Sequence, residues 1–167
     1  SELNEMEMQG IISAERWLNN NTPDNILEEG FLLKLHKKMF EQVWTWAGTF
    51  RTTERNIGVT PYQIPIRIKN LFDDTYFWIE NKTYSAHEIA VRFHHKLVWI
   101  HPFPNGNGRI SRLMADLLRM QLDGKPLFWG ASNLTNISST RTNYIKALQK
   151  ADRGDYTDLI AFTTGTN

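Results

Sequence analysis

An imidazole, a run of glycines and asparagines, and two guanidinium groups follow one another in HPFPNGNGRISR, residues 101–112. Each of these types has a use in handling a nucleotide. An imidazole such as His101, with an ordinary pKa of ~6.5, accepts a hydroxyl proton at neutral pH. Gly106 and Gly108 let the main chain come close to a bulky phosphate, and Asn107 adds side-chain donors. Arg109 and Arg112 add fixed positive charge, and their spacing of three places both near one helical face. Amides at a helix start lack intrahelical partners and sit at the positive end of the dipole, so anions settle there. The layout suits attack of a hydroxyl on a bound phosphate. Plainer roles remain open at this point: the glycines can make a tight turn and nothing more, and Arg112 with Asp116, spaced i, i+4, can form a solvated ion pair.

Other motifs narrow the chemistry. His94 and His95 precede His101, but no ligand spacing such as HExxH accompanies them, since His87-Glu88 is followed by Ile89, Ala90 and Val91. Packing or a core hydrogen bond is the preferred reading for both. GxxxxGK(S/T) and a GxGxxG after a strand are absent, so the common nucleotide-binding folds have no support.

The elements that must position these residues are mostly helices. Apolar residues recur at helical spacing in LNEMEMQGIISAERWL, EEGFLLKLHKKMFEQVWTWAG, PIRIKNLFDDTYFWIE and SAHEIAVRFHHKLVWI. Ser85 followed by Glu88 fits a capping box, Ile89, Phe93, Leu97 and Ile100 mark a buried stripe, and Pro102 should end that helix. A second stripe, Ile110, Leu113, Met114, Leu117 and Leu118, runs to a stop at Gly124 and Pro126. Two more helices follow, in SSTRTNYIKALQKADRG and DYTDLIAFTT, the latter with Asp155 as a cap. In AGTFRTTERNIGVTPYQIP, by contrast, glycines and prolines bracket the β-prone pieces TFR and IGV. This segment reads either as a small hairpin over 48–60, whose edge could pair with an extended peptide, or as a loop joining two helices.

Bulk properties bound the function. With 167 residues, 41% hydrophobic and 12% aromatic, the chain can bury a core, and one domain over 1–167 is expected. Nineteen basic against 18 acidic residues leave a net charge of +1, which argues against a nucleic-acid binder with an overall basic field. Having no cysteine excludes disulfides, thiolate metal sites and a cysteine nucleophile. No apolar run approaches a membrane span of ~18 residues, and SELNEMEMQG is no basic leader, so a cytoplasmic protein without a membrane partner is expected.

HPFPNGNGRISR resembles the signature HxFx(D/E)GNGRxxR of the Fic (Fic/Doc) family at every fixed position but one, Asn105. The TFRTTERNIGV segment, with its GxxR lead-in, and the flanking helices extend the likeness over most of residues 30–160. Within the family the chain most resembles the bacterial group labelled mobile mystery protein B. The resemblance implies an all-α, Fic-fold helical bundle with a small β-hairpin flap. It also implies a protein adenylyltransferase that moves AMP from ATP to a Tyr, Thr or Ser hydroxyl of a target protein and releases pyrophosphate. Alternatives within the fold are transfer of another phosphate-containing group, or nucleotide binding with little turnover. By the same resemblance His101 is the base and Phe103 anchors the loop. Gly106, Asn107 and Gly108 hold phosphates, Arg109 and Arg112 neutralise the outer ones, and the flap at Ile57, Gly58 and Val59 aligns the target.

Two further expectations rest on the resemblance. The family's acidic residue, which helps bind Mg²⁺, is replaced here by Asn105, whose amide oxygen can ligate the ion but brings no charge. The family's inhibitory motif, (S/T)xxxE(G/N), places a helical glutamate against the second signature arginine. Residues 1–20 would form that helix, with Glu2, in Glu2-Leu3-Asn4, as the glutamate and Glu5 and Glu7 as competitors. An acidic first turn favoured by the helix dipole accounts for the same residues.

Overall fold

The computed structural model describes residues 2–130 and 137–165. Among these residues seven α-helices appear in order: α1 (Glu2–Asn21), α2 (Glu29–Phe40), α3 (Ile64–Glu80), α4 (Ala86–Ile100), α5 (Asn107–Asp123), α6 (Ile137–Asp152) and α7 (Thr157–Thr164). A one-turn 3₁₀ helix, Pro61–Gln63, leads into α3. The all-α expectation holds, with no strand among the described residues.

α4 is the central helix, packed against α3, α5, α6 and α7, while α1 lies on α2. Its expected signals are all present. Ser85 Oγ accepts from the Glu88 amide at 3.1 Å, and Ile89, Phe93, Leu97 and Ile100 are buried. Ile110, Met114 and Leu118 of α5 are buried too, and Gly124 closes that helix in the left-handed conformation. Asp155 accepts from the Thr157 amide and so caps α7 from one residue further out than a standard N-cap.

Two expectations fail here. α2 stops at Phe40 rather than near Gly48, and residues 41–49 run through successive turns. The run Val43–Thr49 is aromatic and β-branched, which disfavours helix, and packing replaces it: Trp44 stacks on Trp46 at 4.7 Å and lies 4.8 Å from Phe40. The β-hairpin over 48–60 is also absent. The segment is held to the end of α4 instead, with the Arg51 amide bonded to Pro102 O (2.9 Å) and the Val59 amide to Ile100 O (3.2 Å). These bonds engage two amides at which a cross-strand ladder would otherwise form.

α1 is docked at unusually close range. A Cβ added at Gly10 would stand 2.1 Å from Met39 O of α2, so the hydrogen of a glycine sets the spacing of the two helices.

Candidate active site

His101 ends α4 in the left-handed conformation (φ 54°, ψ 62°), its amide bonded back to Leu97 O at 3.2 Å. A histidine with positive φ is uncommon and must be held there by its surroundings. Arg51 supplies the hold. Its buried guanidinium donates to His101 O (2.5 Å), Thr53 O (3.1 Å), Ile100 O (3.3 Å) and Val59 O, joining the 51–59 segment to the helix end. Gly58 (φ 95°) packs so closely that a Cβ there would come 2.6 Å from His101 Cβ. Partial burial, then the charges of Arg51 and Arg55, lower the His101 pKa below 6.5. The imidazole is therefore neutral and able to accept a proton.

The loop that follows is fixed from inside. Phe103 is fully buried and stacks on His36 at 3.7 Å with the planes 9° apart. His36 Nδ1 accepts from the Gly48 amide at 2.9 Å, which leaves the ring proton on Nε2, and Nε2 donates to Asn105 O at 3.1 Å. Burial keeps this imidazole neutral, its pKa down at about 4 against the opposing pull of the Asn105 carbonyl. Asn107 departs from the sequence reading. Its side chain is buried, with Oδ1 accepting from Phe103 N (2.9 Å) and Nδ2 donating to Phe103 O (2.7 Å). The amide expected to offer donors to phosphate is thus occupied in bracing the loop, because burial requires a partner for each polar atom.

Gly106 starts α5 with φ 78°, and a Cβ there would meet Phe40 Cε2 at 2.5 Å. Only glycine satisfies both the backbone angle and the contact. The first turn of the helix it starts, Asn107, Gly108 and Arg109, whose amides have no intrahelical partner, lines a cleft of about 1140 Å³. Asn105, Gly106, Asn107, Gly108, Arg109 and Arg112 all line this cleft, with Trp44, Trp129 and Tyr144 as aromatic walls. The expected phosphate group is thus brought together. His101 is not among the residues lining the cleft; it sits at the other end of the loop, against Gly58 and beside the bond from the Val59 amide to Ile100 O.

Arg112 lies 6.0 Å from the Tyr144 ring, and the Tyr144 hydroxyl meets His94 Nε2 at 2.6 Å. Asp116, the partner of the simpler ion-pair reading, instead accepts from the Trp129 indole at 2.8 Å, and burial raises its pKa to about 6. His94 and His95 are core residues as read: His95 binds the Tyr156 hydroxyl (2.9 Å) and Asp152 (2.7 Å).

One acidic residue enters the cleft. Glu7 Oε2 accepts from Arg109 Nη1 at 2.6 Å, with the carboxylate side chain 13% exposed. Glu2, the glutamate expected there, is exposed in the first turn of α1, and the arginine engaged is the first of the signature rather than the second. The reason is helical phase. Glu7 shares the face of Gly10, Ala14 and Leu18, the residues α1 buries, and Glu2 does not.

Among the described residues no group of three His, Asp or Glu could hold a metal ion, and the donor at the loop is the neutral amide of exposed Asn105. Protein-held Mg²⁺ ordinarily has at least one carboxylate, so this set does not fit a magnesium site by itself.

The Fic/DOC family matches residues 26–118, which run from just before α2 through the loop to most of α5. The chain belongs to this family. Among its Fic relatives, protein adenylyltransferase fic-1 of Caenorhabditis elegans is 28% identical over 168 residues, 93% of this chain and 31% of that protein. A probable protein adenylyltransferase of Aquifex aeolicus is 30% identical over 56% of this chain and 26% of its own length. The chain thus spans about a third of the length of the curated relatives it matches. The solved C. elegans Fic-1 structure superimposes with a TM-score of 0.76 at 27% identity, over 98% of this chain and 48% of the other. A Bartonella tribocorum BepC structure with bound AMPPNP shares the fold at TM-score 0.71 and 20% identity. α1, which carries Glu7, precedes the matched region.

Sequence reasoning overlooked His36 as part of this Fic site. A signal was available, for His36 falls within the buried stripe Leu32, Leu35, Met39 and Phe40, where an imidazole requires partners.

Proposed function

We propose that this Fic domain is a protein adenylyltransferase, transferring AMP from ATP to a hydroxyl of a target protein. The observation that carries the reading is the loop 101–112 itself, with a neutral histidine at one end and an amide-and-arginine cradle at the other. His101 takes the proton of the attacking hydroxyl, whose oxygen forms a bond to the α-phosphorus. The bond from that phosphorus to the bridging oxygen breaks, and pyrophosphate leaves with its charge met by Arg109, Arg112 and the amides of α5. His101 borders the 51–59 segment and the cradle borders the cleft, so the target arrives from the side of Ile57–Val59 and the nucleotide from the other. Labelled ATP tests the reaction. Protein retaining label from the α position, and none from the γ position, indicates AMP transfer; label from γ alone would replace the reading with phosphoryl transfer.

Asn105 gives a second test. Its main-chain oxygen is bonded to His36 and its side chain is exposed, so Asn105→Asp changes charge without disturbing the loop. The carboxylate adds a hard ligand beside the phosphates, and transfer should rise, most of all at low magnesium. Loss of activity at every magnesium concentration would show that the amide serves phosphate directly.

In this reading Glu7 is an inhibitory residue, because its carboxylate occupies Arg109, the charge the nucleotide needs.

A further inference from the structure

We infer that the exposed surface of α3 and α4 beside His101 is the docking site for a target segment that carries carboxylates next to the hydroxyl to be modified. The inference rests on the adenylyltransferase reading and adds the chemistry of its substrate. It begins from the missing hairpin. The Arg51 and Val59 amides are bonded to Pro102 and Ile100, so the segment near His101 cannot use them to hold an extended peptide by its main chain. With those two amides spent, side chains around the segment gain weight in holding a target.

Such side chains are present. Tyr62 is 79% exposed, Ile57 62%, Ile66 53% and Trp99 44%. Contacts through Gln63 and Arg67 join Tyr62 and Trp99 into one surface. The Arg67 guanidinium lies 5.7 Å from the Trp99 ring centre and Lys96 Nζ 6.0 Å from it, while Gln63 bridges Tyr62 and Arg67 at 3.5 Å each. Trp99 is two residues before His101. Among the described residues, none of Arg55, Arg67 or Lys96 has a carboxylate within 4.0 Å, whereas neighbouring Lys69 is paired with Asp73. Glu54 is the only acidic residue of 49–60. Exposed aromatic and aliphatic groups flanked by unpaired cations fit a polypeptide with acidic side chains, which gains both apolar contact and charge complementarity. Three cations on a chain of net charge +1 are too few for a phosphate track.

The test is binding of fluorescein-labelled short peptides, each with a central tyrosine flanked by glutamates, glutamines or lysines, to the whole chain. The glutamate peptide should bind the tightest and weaken as salt rises. Arg67→Glu with Lys96→Glu should loosen it roughly tenfold, while ATP affinity is unchanged because both residues lie outside the cleft. Equal binding of the three peptides, no binding of the glutamate peptide, or tighter binding of oligothymidylate at the same surface would overturn the inference. Adding α-labelled ATP and cell lysate to the Glu7→Ala chain, which lacks the inhibitory carboxylate, separates the two levels. A bound glutamate peptide with no labelled protein anywhere would leave the surface standing and remove the adenylyltransferase reading; labelled lysate proteins with no binding of that peptide would do the reverse.

Discussion

His101→Ala is expected to bind ATP as well as the native chain does and to transfer AMP at least ~10²-fold more slowly, the usual weight of a general base. The separation of the two effects follows from geometry. The imidazole does not line the nucleotide cleft, and the loop carrying it is fixed by Phe103, His36, Asn107 and Arg51, none of which contacts the imidazole nitrogens. Titration calorimetry with ATP and a transfer assay read the two quantities; native transfer in the variant would remove His101 as the base. The pH profile supplies an independent check. Transfer requires the neutral imidazole, and burial with Arg51 and Arg55 lowers its pKa, so activity should fall only on acidification below 6.5. Arg55→Ala removes one of the two cations and should move that midpoint upward.

Glu7→Ala is expected to act in the opposite direction, raising ATP affinity and transfer together by roughly ten- to a hundredfold, the span of a charge-assisted hydrogen bond in a partly buried site. Alanine preserves the helix, so α1 stays folded while Arg109 becomes available to phosphate. A structural role alone would give a different result: a lower melting temperature with nucleotide affinity unmoved. Glu2→Ala is the internal control and should change neither quantity, since Glu2 is exposed.

Helix positions were legible because periodicity and caps are local; Ser85, Gly124 and the stripe of α4 each act within a few residues. The signature loop was legible because its residues are contiguous. What escaped was long-range. The choice of Glu7 over Glu2 depends on which face of α1 meets α2, and the contact it makes joins residues 102 apart in sequence. Asn107 was misread for a related reason: its type suggests donors for a ligand, whereas its burial behind Phe103 commits them inward. The hairpin at 48–60 had the residue types of strands, but Arg51, by donating to four carbonyls, gives that backbone another set of partners.

The close seating of Gly10 on Met39 makes α1 a ligand of its own protein, held at an effective concentration that dilution cannot lower. If its Glu7 and a nucleotide compete for Arg109, their binding energies are linked, and linkage is reciprocal. Whatever factor ATP contributes to lifting α1 from α2, anything that lifts α1 must return to ATP affinity. A macromolecule that grips the amino-terminal turns of α1 more tightly when the helix is lifted than when it is docked would thereby act on the site, with no contact at the cleft required.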